Sequence, residues 1–571
     1  MKSKTSITYD SFLKDIQDNK TIENVIIDSY CDFKNISINT AILIRDCIFK
    51  ETFLLEDCNF NKSVTFENCV FDKDLCFNRV DISNMLVIKS SKIVNEIIFN
   101  DCVLFNLSIM ETISEKVSFG GYLKNCSIKN ESINFGKSTF GNLRFDNATI
   151  FKPIILNNLS VKELQIRSSQ FYSSFAFGNW NMDKLIADDI GIESSKFHHR
   201  VDFISGEIKK GLYIHKVEFN EQFMLRKEFV LNRIYFIEVK ASHNASIDFQ
   251  DNFDAIEITD SHFDTSLFVN SSSILDDKLV SISFSGIIHG NYIFENIPTV
   301  SVHISCVNFG NILFHNISSK FIWCDRFFNY NKLFFNGLIL NENYNVLIVF
   351  DSNIGNTEFE NIDFRKFNEV VIAKSDVSSM QITNSIFPKS IGIKTKRPDI
   401  GVEVGELEKI NDNMYFRESY RQLKVAMEKI GNRYYSLHYK SKEMHYQRKE
   451  LKFGWDKILL YINFLSNNNG VSWVRGIFFT IICGYISFVF LNTFSKHPIF
   501  YWDIHVSKKD FILAFDISLT QFIKYISSFP LLKSDMQNDG NWKTDFIILI
   551  SRIFISVGIF QTISAFRKYS K

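Results

Sequence analysis

The chain has 571 residues with 64 basic and 64 acidic side chains, 59 Phe, 23 Gly, 6 Pro and 10 Cys; it is longer than one typical domain and poor in the residues that build irregular catalytic loops. The zero balance hides an asymmetry, because residues 1–400 hold 41 basic and 49 acidic side chains while residues 401–571 hold 23 and 15. An acidic body with a basic tail argues against a nucleic-acid binder, and the tail suits an anionic membrane surface.

Residues 1–21 read as an N-terminal cap without an apolar stretch of signal-peptide length, so the domain that follows is expected to stay in the cytoplasm. From residue 22 a repeat emerges. The segments IRDCIF (44–49), LEDCNF (55–60) and FENCVF (66–71) recur every eleven residues. Each sets a small residue two positions before a large apolar one: Cys47/Phe49, Cys58/Phe60 and Cys69/Phe71. The pattern continues through Cys102/Leu104, Cys126/Ile128, Ser138/Phe140, Ala148/Ile150, Ser169/Phe171 and Ser195/Phe197. Later echoes are Ser261/Phe263, Ser352/Ile354 and Ile362/Phe364.

An i, i+2 pair lies on one face of a strand. The Asp or Asn ahead of the small residue, as at Asp46, Asp57, Asn68, Asp101 and Asn125, is expected to cap a turn through its side chain. Two such units make a coil of about 22 residues, so residues 22–395 are expected to form a right-handed parallel β-helix of about 17 coils. Stretches 205–260 and 320–345 do not resolve into coils. Seven cysteines between Cys31 and Cys126 read as small buried side chains in a reducing compartment. A β-sandwich would leave both the eleven-residue recurrence and the dearth of hairpin turns unexplained.

The repeat resembles the pentapeptide-repeat proteins, which place a small residue at one core position and Leu or Phe two positions on. The resemblance implies a β-helix. It is loose, since the clean units here come every eleven residues rather than every five.

Residues 396–470 are expected to be a helical linker. Phe416, Tyr420, Leu423, Met427, Ile430 and Tyr434 form an apolar stripe at helical spacing, and Gly431-Asn432 reads as a stop before a second helix over about 433–452. Its polar face carries Lys440, Lys442, Arg448, Lys449 and Lys452. Such a face is ordinarily only solvated; its place just before a membrane segment makes Lys449 and Lys452, with Arg475, Arg567 and Lys568, candidate contacts for lipid head groups.

Residues 471–571 are expected to be a transmembrane module. GIFFTIICGYISFVFLNTF (476–494) lacks charge and is long enough to cross a bilayer. FIILISRIFISVGIFQTISAF (546–566) is a second span interrupted by Arg552 and Gln561. Two spans with cations at Arg475 and Arg567/Lys568 put both termini on the cytoplasmic side. Arg552, only six or seven residues into the second span, either snorkels to the interface or faces a water-filled path; with Ser556 and Gln561 it is a candidate pore or interhelical residue. The amphipathic segment 511–532, containing Asp516, Ser518 and Gln521, is too charged for a confident third span.

The ordered motifs YRQLKVAMEKIGN (420–432), KEMHYQRKE (442–450), VSWVRG (471–476), SLTQFI (518–523), FPLL (529–532) and FQTISAFRKYSK (560–571) resemble bacterial pentapeptide-repeat membrane proteins carrying a two-helix, ion-channel-like module. The resemblance implies that 511–532 stands where a pore helix would, in the bacterial inner membrane. No TVGYG-like filter is present, so potassium selectivity is not implied.

The function expected is therefore a non-enzymatic sensor or scaffold with a homo-oligomeric pore, and a simple tethered protein-binding platform is the alternative. Membrane lipid, further copies of the chain and a protein ligand of the solenoid are the expected partners. No cofactor, nucleic acid, catalytic residue or metal ligand is expected: the His198-His199 pair is isolated, and no nucleophile elbow, phosphate loop or metal-ligand spacing occurs. A glycan-active β-helix would need carboxylates clustered with Lys or Arg in a groove. A DNA mimic would need a denser acidic surface than the short stretch Asp251 to Asp277 supplies.

Overall fold

The computed structural model describes the chain except for residues 1–4, 19–20, 121–126, 129–132, 136, 152, 180–183, 250–252, 272–278, 298–299, 341–344, 389, 393–412, 496–515, 524–541 and 567–571. It is mainly β: a parallel solenoid followed by helices. Two compact units are present, residues 1–371 with 380–388, and residues 372–379 with 389–571.

The first unit is the solenoid, of about 15 turns. The count falls below the 17 expected because the coils are not all alike. Register advances 22 residues from Ile42 to Val64 and again to Leu86, but 26 from Ala255 to Ser281 and 20 from Val280 to Val300. The stretches whose repeat was illegible are coiled as well, with Leu212 paired to Ile234 and Ile234 to Ile256 at the same 22-residue step.

The eleven-residue recurrence has a backbone cause. Asn24, Asn35, Asp46, Asp57, Asn68, Arg79, Ser90 and Asp101 all hold φ between +49° and +58°. Asn and Asp tolerate this left-handed conformation better than other residues with a Cβ. The capping role expected of the Asp and Asn side chains is thus mainly a backbone role; Asn68 Nδ2 donates instead to Asp46 Oδ1 on the preceding coil. Asn125 lies outside the described residues.

The kink makes the next residue point inward, where two carbonyls meet it. Cys58 Sγ donates 3.3 Å to both Glu56 O and Phe33 O, and Ser169 Oγ makes the same pair of bonds to Arg167 O at 2.8 Å and Phe145 O at 3.0 Å. A small side chain with a hydrogen to donate satisfies both the space and the carbonyls.

Two positions on, the large residues stack in columns, Phe49 on Phe71 at 4.7 Å and Phe171 on Phe197 at 4.8 Å. A second column runs through the strand that precedes the kink, where Phe77, Phe99, Phe119 and Phe145 follow one another at 4.9, 4.8 and 5.1 Å with nearly parallel rings. These columns account for much of the Phe content. Helix α1 (Tyr9–Gln17) covers the N-terminal end of the stack, burying Phe12 edge-on against Phe33, Phe49 and Phe53. An uncovered end would leave an open strand edge and an apolar core in water.

The second unit is helical. Helices α2 (Asn413–Lys429) and α3 (Arg433–Glu450) form a hairpin in which Phe416, Tyr420, Leu423 and Met427 are buried. Ile430 and Tyr434 are exposed, because Gly431 at φ +74° ends α2 and Tyr434 belongs to the next helix. Sequence reasoning missed α4 (Trp455–Asn467). Helices α5 (Trp473–Phe494) and α7 (Trp542–Phe566) are long and apolar enough to cross a membrane, beginning three and four residues before the spans expected. Between them, residues 516–523 form helix α6.

Candidate functional site

Helices α5 and α7 run antiparallel: Trp473 stacks on Phe566 at 4.8 Å, and at the other end Ile548 packs with Phe488, Leu491 and Phe522 of α6. Their close approach rests on a shared motif, GIFFTI at 476–481 and GIFQTI at 558–563. Gly476 faces Thr562, and Gly558 faces Thr480. A Cβ added at Gly476 would stand 3.0 Å from Thr562 Cα, and one at Gly558 would stand 3.1 Å from Thr480 Cβ. Each Thr hydroxyl donates 2.8 Å to the carbonyl of its own helix's glycine, Thr480 to Gly476 and Thr562 to Gly558, leaving no stranded hydroxyl. Small residues four apart let backbones meet where lipid gives no hydrophobic drive between helices. The recurrence of GIF-x-TI was the signal available in the sequence.

Gln561 lies at the Trp473 end and is tied to α4. Its Nε2 donates 2.8 Å to Asn463 Oδ1, while Asn467 Nδ2 donates to the Gln561 carbonyl at 3.1 Å and to its Oε1. It is thus an interhelical residue, and α4 supplies the partners.

Arg552 is the eleventh of the 25 residues of α7, because the helix begins at Trp542, four residues before the expected span. At 1.5 Å per residue it sits roughly 15 Å from the helix start, and it is the seventh residue of the apolar stretch that begins at Phe546. It is half-buried, and its Nε is buried with no hydrogen-bond partner among the described residues. Ser556, four residues on, and Asp545, seven back, share its flank; both are exposed. That flank lies beside the buried stripe Ile548, Ser551, Ile555 and Gly558 which faces α5.

In α6, Ser518 is buried, Gln521 half-buried and Asp516 exposed, while Phe522 meets Tyr485 edge-on at 5.2 Å. Lys449, Lys452 and Arg475 are exposed; Arg567 and Lys568 lie outside the described residues. On the solenoid, His198 stacks on Tyr172 at 4.2 Å and His199 Nδ1 is 3.0 Å from Glu221. Among the described residues no cluster of three His, Cys, Asp or Glu could hold a metal ion.

No family model, no curated protein and no solved structure matches this chain.

Proposed function

We propose that this is a non-enzymatic membrane protein in which a cytoplasmic β-solenoid senses or scaffolds, and several copies of the α5–α7 pair surround a water-filled path. The carrying observation is Arg552. A guanidinium in mid-helix, with a buried Nε that no described residue satisfies, needs water or another copy of the chain beside it. Two helices per chain cannot enclose a channel, so the partner is a further copy. The likeness to pentapeptide-repeat membrane proteins of bacteria favours the same reading, with both termini in the cytoplasm of such a cell.

Full-length protein in liposomes is expected to pass ions. A ring of guanidiniums favours anions, so Arg552→Leu should abolish anion preference while Arg552→Lys keeps it. An isolated monomer that never conducts would sink the pore.

The tethered-platform reading is favoured by one facet of the solenoid. There Ile287, His289, Phe309, Phe328 and Tyr330 stand exposed on neighbouring coils, and His289, Phe309 and Tyr330 stack at 5.2 and 5.1 Å. An exposed apolar patch of this kind suits a protein ligand.

A further inference from the structure

Helix α4 and the residues around it form a cationic, apolar-faced elbow whose cations have no partner of opposite charge among the described residues. Between residues 444 and 495 the only acidic residues are Glu450 and Asp456. Glu450 is already paired with Arg417 at 2.6 Å, and Glu443, just before, with Lys424 at 2.9 Å. Among the described residues none of Arg448, Lys449, Lys452, Lys457 or Arg475 makes an ion pair.

Alongside these cations, Phe453 is 89% and Trp455 82% exposed, and Leu459 and Leu465 are exposed as well. Such side chains are ill placed in water. They are well placed at the depth where a bilayer's head groups meet its acyl chains, with Lys and Arg reaching phosphates above.

Arg448 makes the elbow more than a charged surface. It is only 6% exposed, and its guanidinium lies 4.2 Å from the ring centre of Phe464 and 4.9 Å from that of Tyr461. Its Nη2 reaches His445 Nδ1 at 3.1 Å, while its Nη1 is buried with no partner among the described residues. Burial, with Lys449 and Arg448 nearby, holds His445 below the usual imidazole range, so the neutral ring accepts that hydrogen. Arg475 leans on the same Phe464 ring at 5.6 Å. Attraction to a helix C-terminus accounts for the exposed Lys449. It does not account for a buried, aromatic-clamped guanidinium with a donor to spare.

We propose that α4 lies in the head-group plane and that Arg448, with Arg475 beside it, binds the phosphate of an anionic phospholipid. Arg presents a planar fork suited to phosphate, and the Phe464 and Tyr461 rings packed against it fix its orientation. The proposal rests on α5 and α7 crossing a bilayer but not on their forming a pore.

Full-length protein, delipidated in mild detergent, would be titrated separately with phosphatidylglycerol and phosphatidylcholine, and retained lipid read by native mass spectrometry. At least tenfold preference for phosphatidylglycerol is expected. Arg448→Gln should remove it and Arg448→Lys should restore only part. Should Arg448→Gln fail to fold, judged by its elution profile, Arg475→Gln at an exposed position carries the test, with a severalfold loss expected. Equal retention of the two lipids by the native chain, or native preference in both Gln variants, would overturn the site. Protein that stays soluble without detergent would instead overturn the membrane reading, and lipid preference without ion flux would overturn only the pore.

Discussion

The solenoid and the α5–α7 helix pair both bury polar groups, but they satisfy them in opposite ways. In the solenoid one local solution is copied along the stack: a left-handed residue, then a small donor bonded to two carbonyls, as at Cys58, Ser169 and Ser261. In the helix pair the solutions are few, and the glycine–threonine contact occurs only twice among the described residues, Gly476 against Thr562 and Gly558 against Thr480. Gln561 has Asn463 and Asn467, Gly476 has Thr562, and no neighbouring rung substitutes for a lost partner. Repetition lets Cys, Thr and Ser alternate in the donor position from rung to rung, as at Cys58, Thr112 and Ser169. In the second region two glycine–threonine contacts set how closely the helices meet.

Three substitutions sharpen this contrast. The largest effect is expected at Phe99, whose ring is stacked on both sides at 4.9 and 4.8 Å. Phe99→Ala should cost about 3–5 kcal/mol in chemical denaturation, and a cost below about 1 kcal/mol would mean the columns are not the core. Next, Gly558→Leu drives a branched side chain into Thr480 and should cost about 1–3 kcal/mol, read as a shifted thermal transition of the detergent-solubilised chain. An unchanged transition would contradict the close crossing. The smallest effect is expected for Gln561→Leu, about 0.6 kcal/mol by the measured worth of hydrogen bonds between membrane helices. A loss of several kcal/mol in the same assay would make the α4 contact a keystone rather than a tether.

Much of the solenoid was legible because its rule is local. A small residue two before a large one, at an eleven-residue period, reflects sterics and hydrogen bonding within one turn. The rule faded where size inverted: Val217 and Val239 fill the small position and Ala241 the large one, yet all three are buried in register. There the space of a coil is shared differently between the same two positions, which a pattern of residue sizes cannot reveal.

The two long apolar helices were legible from apolar length, and Gln561 from being polar within one. Helix α4 was missed because a 13-residue amphipathic helix between a basic helix and an apolar span carries no period distinct from theirs. The start of α7 was placed four residues late because Trp542, Lys543 and Asp545 look like flanking loop but are helical. Helix starts depend on where hydrogen bonding begins, not on where hydrophobicity does.

The left-handed residue recurring every eleventh position has a consequence for how such a chain can change length. A coil closes only when the chain returns to the same orientation above its starting point, so growth is quantised. Duplicating or losing 22 residues preserves every ladder, whereas a gain of one residue turns inward-facing side chains outward for the rest of that strand. Coils of 26 residues, such as that from Leu159 to Leu185, keep the paired strands aligned, with Leu164 on Ile190 and Ile166 on Ile192. The stack therefore behaves as a ruler with a fixed graduation, and lineages could lengthen it one whole mark at a time without redesigning what lies at either end.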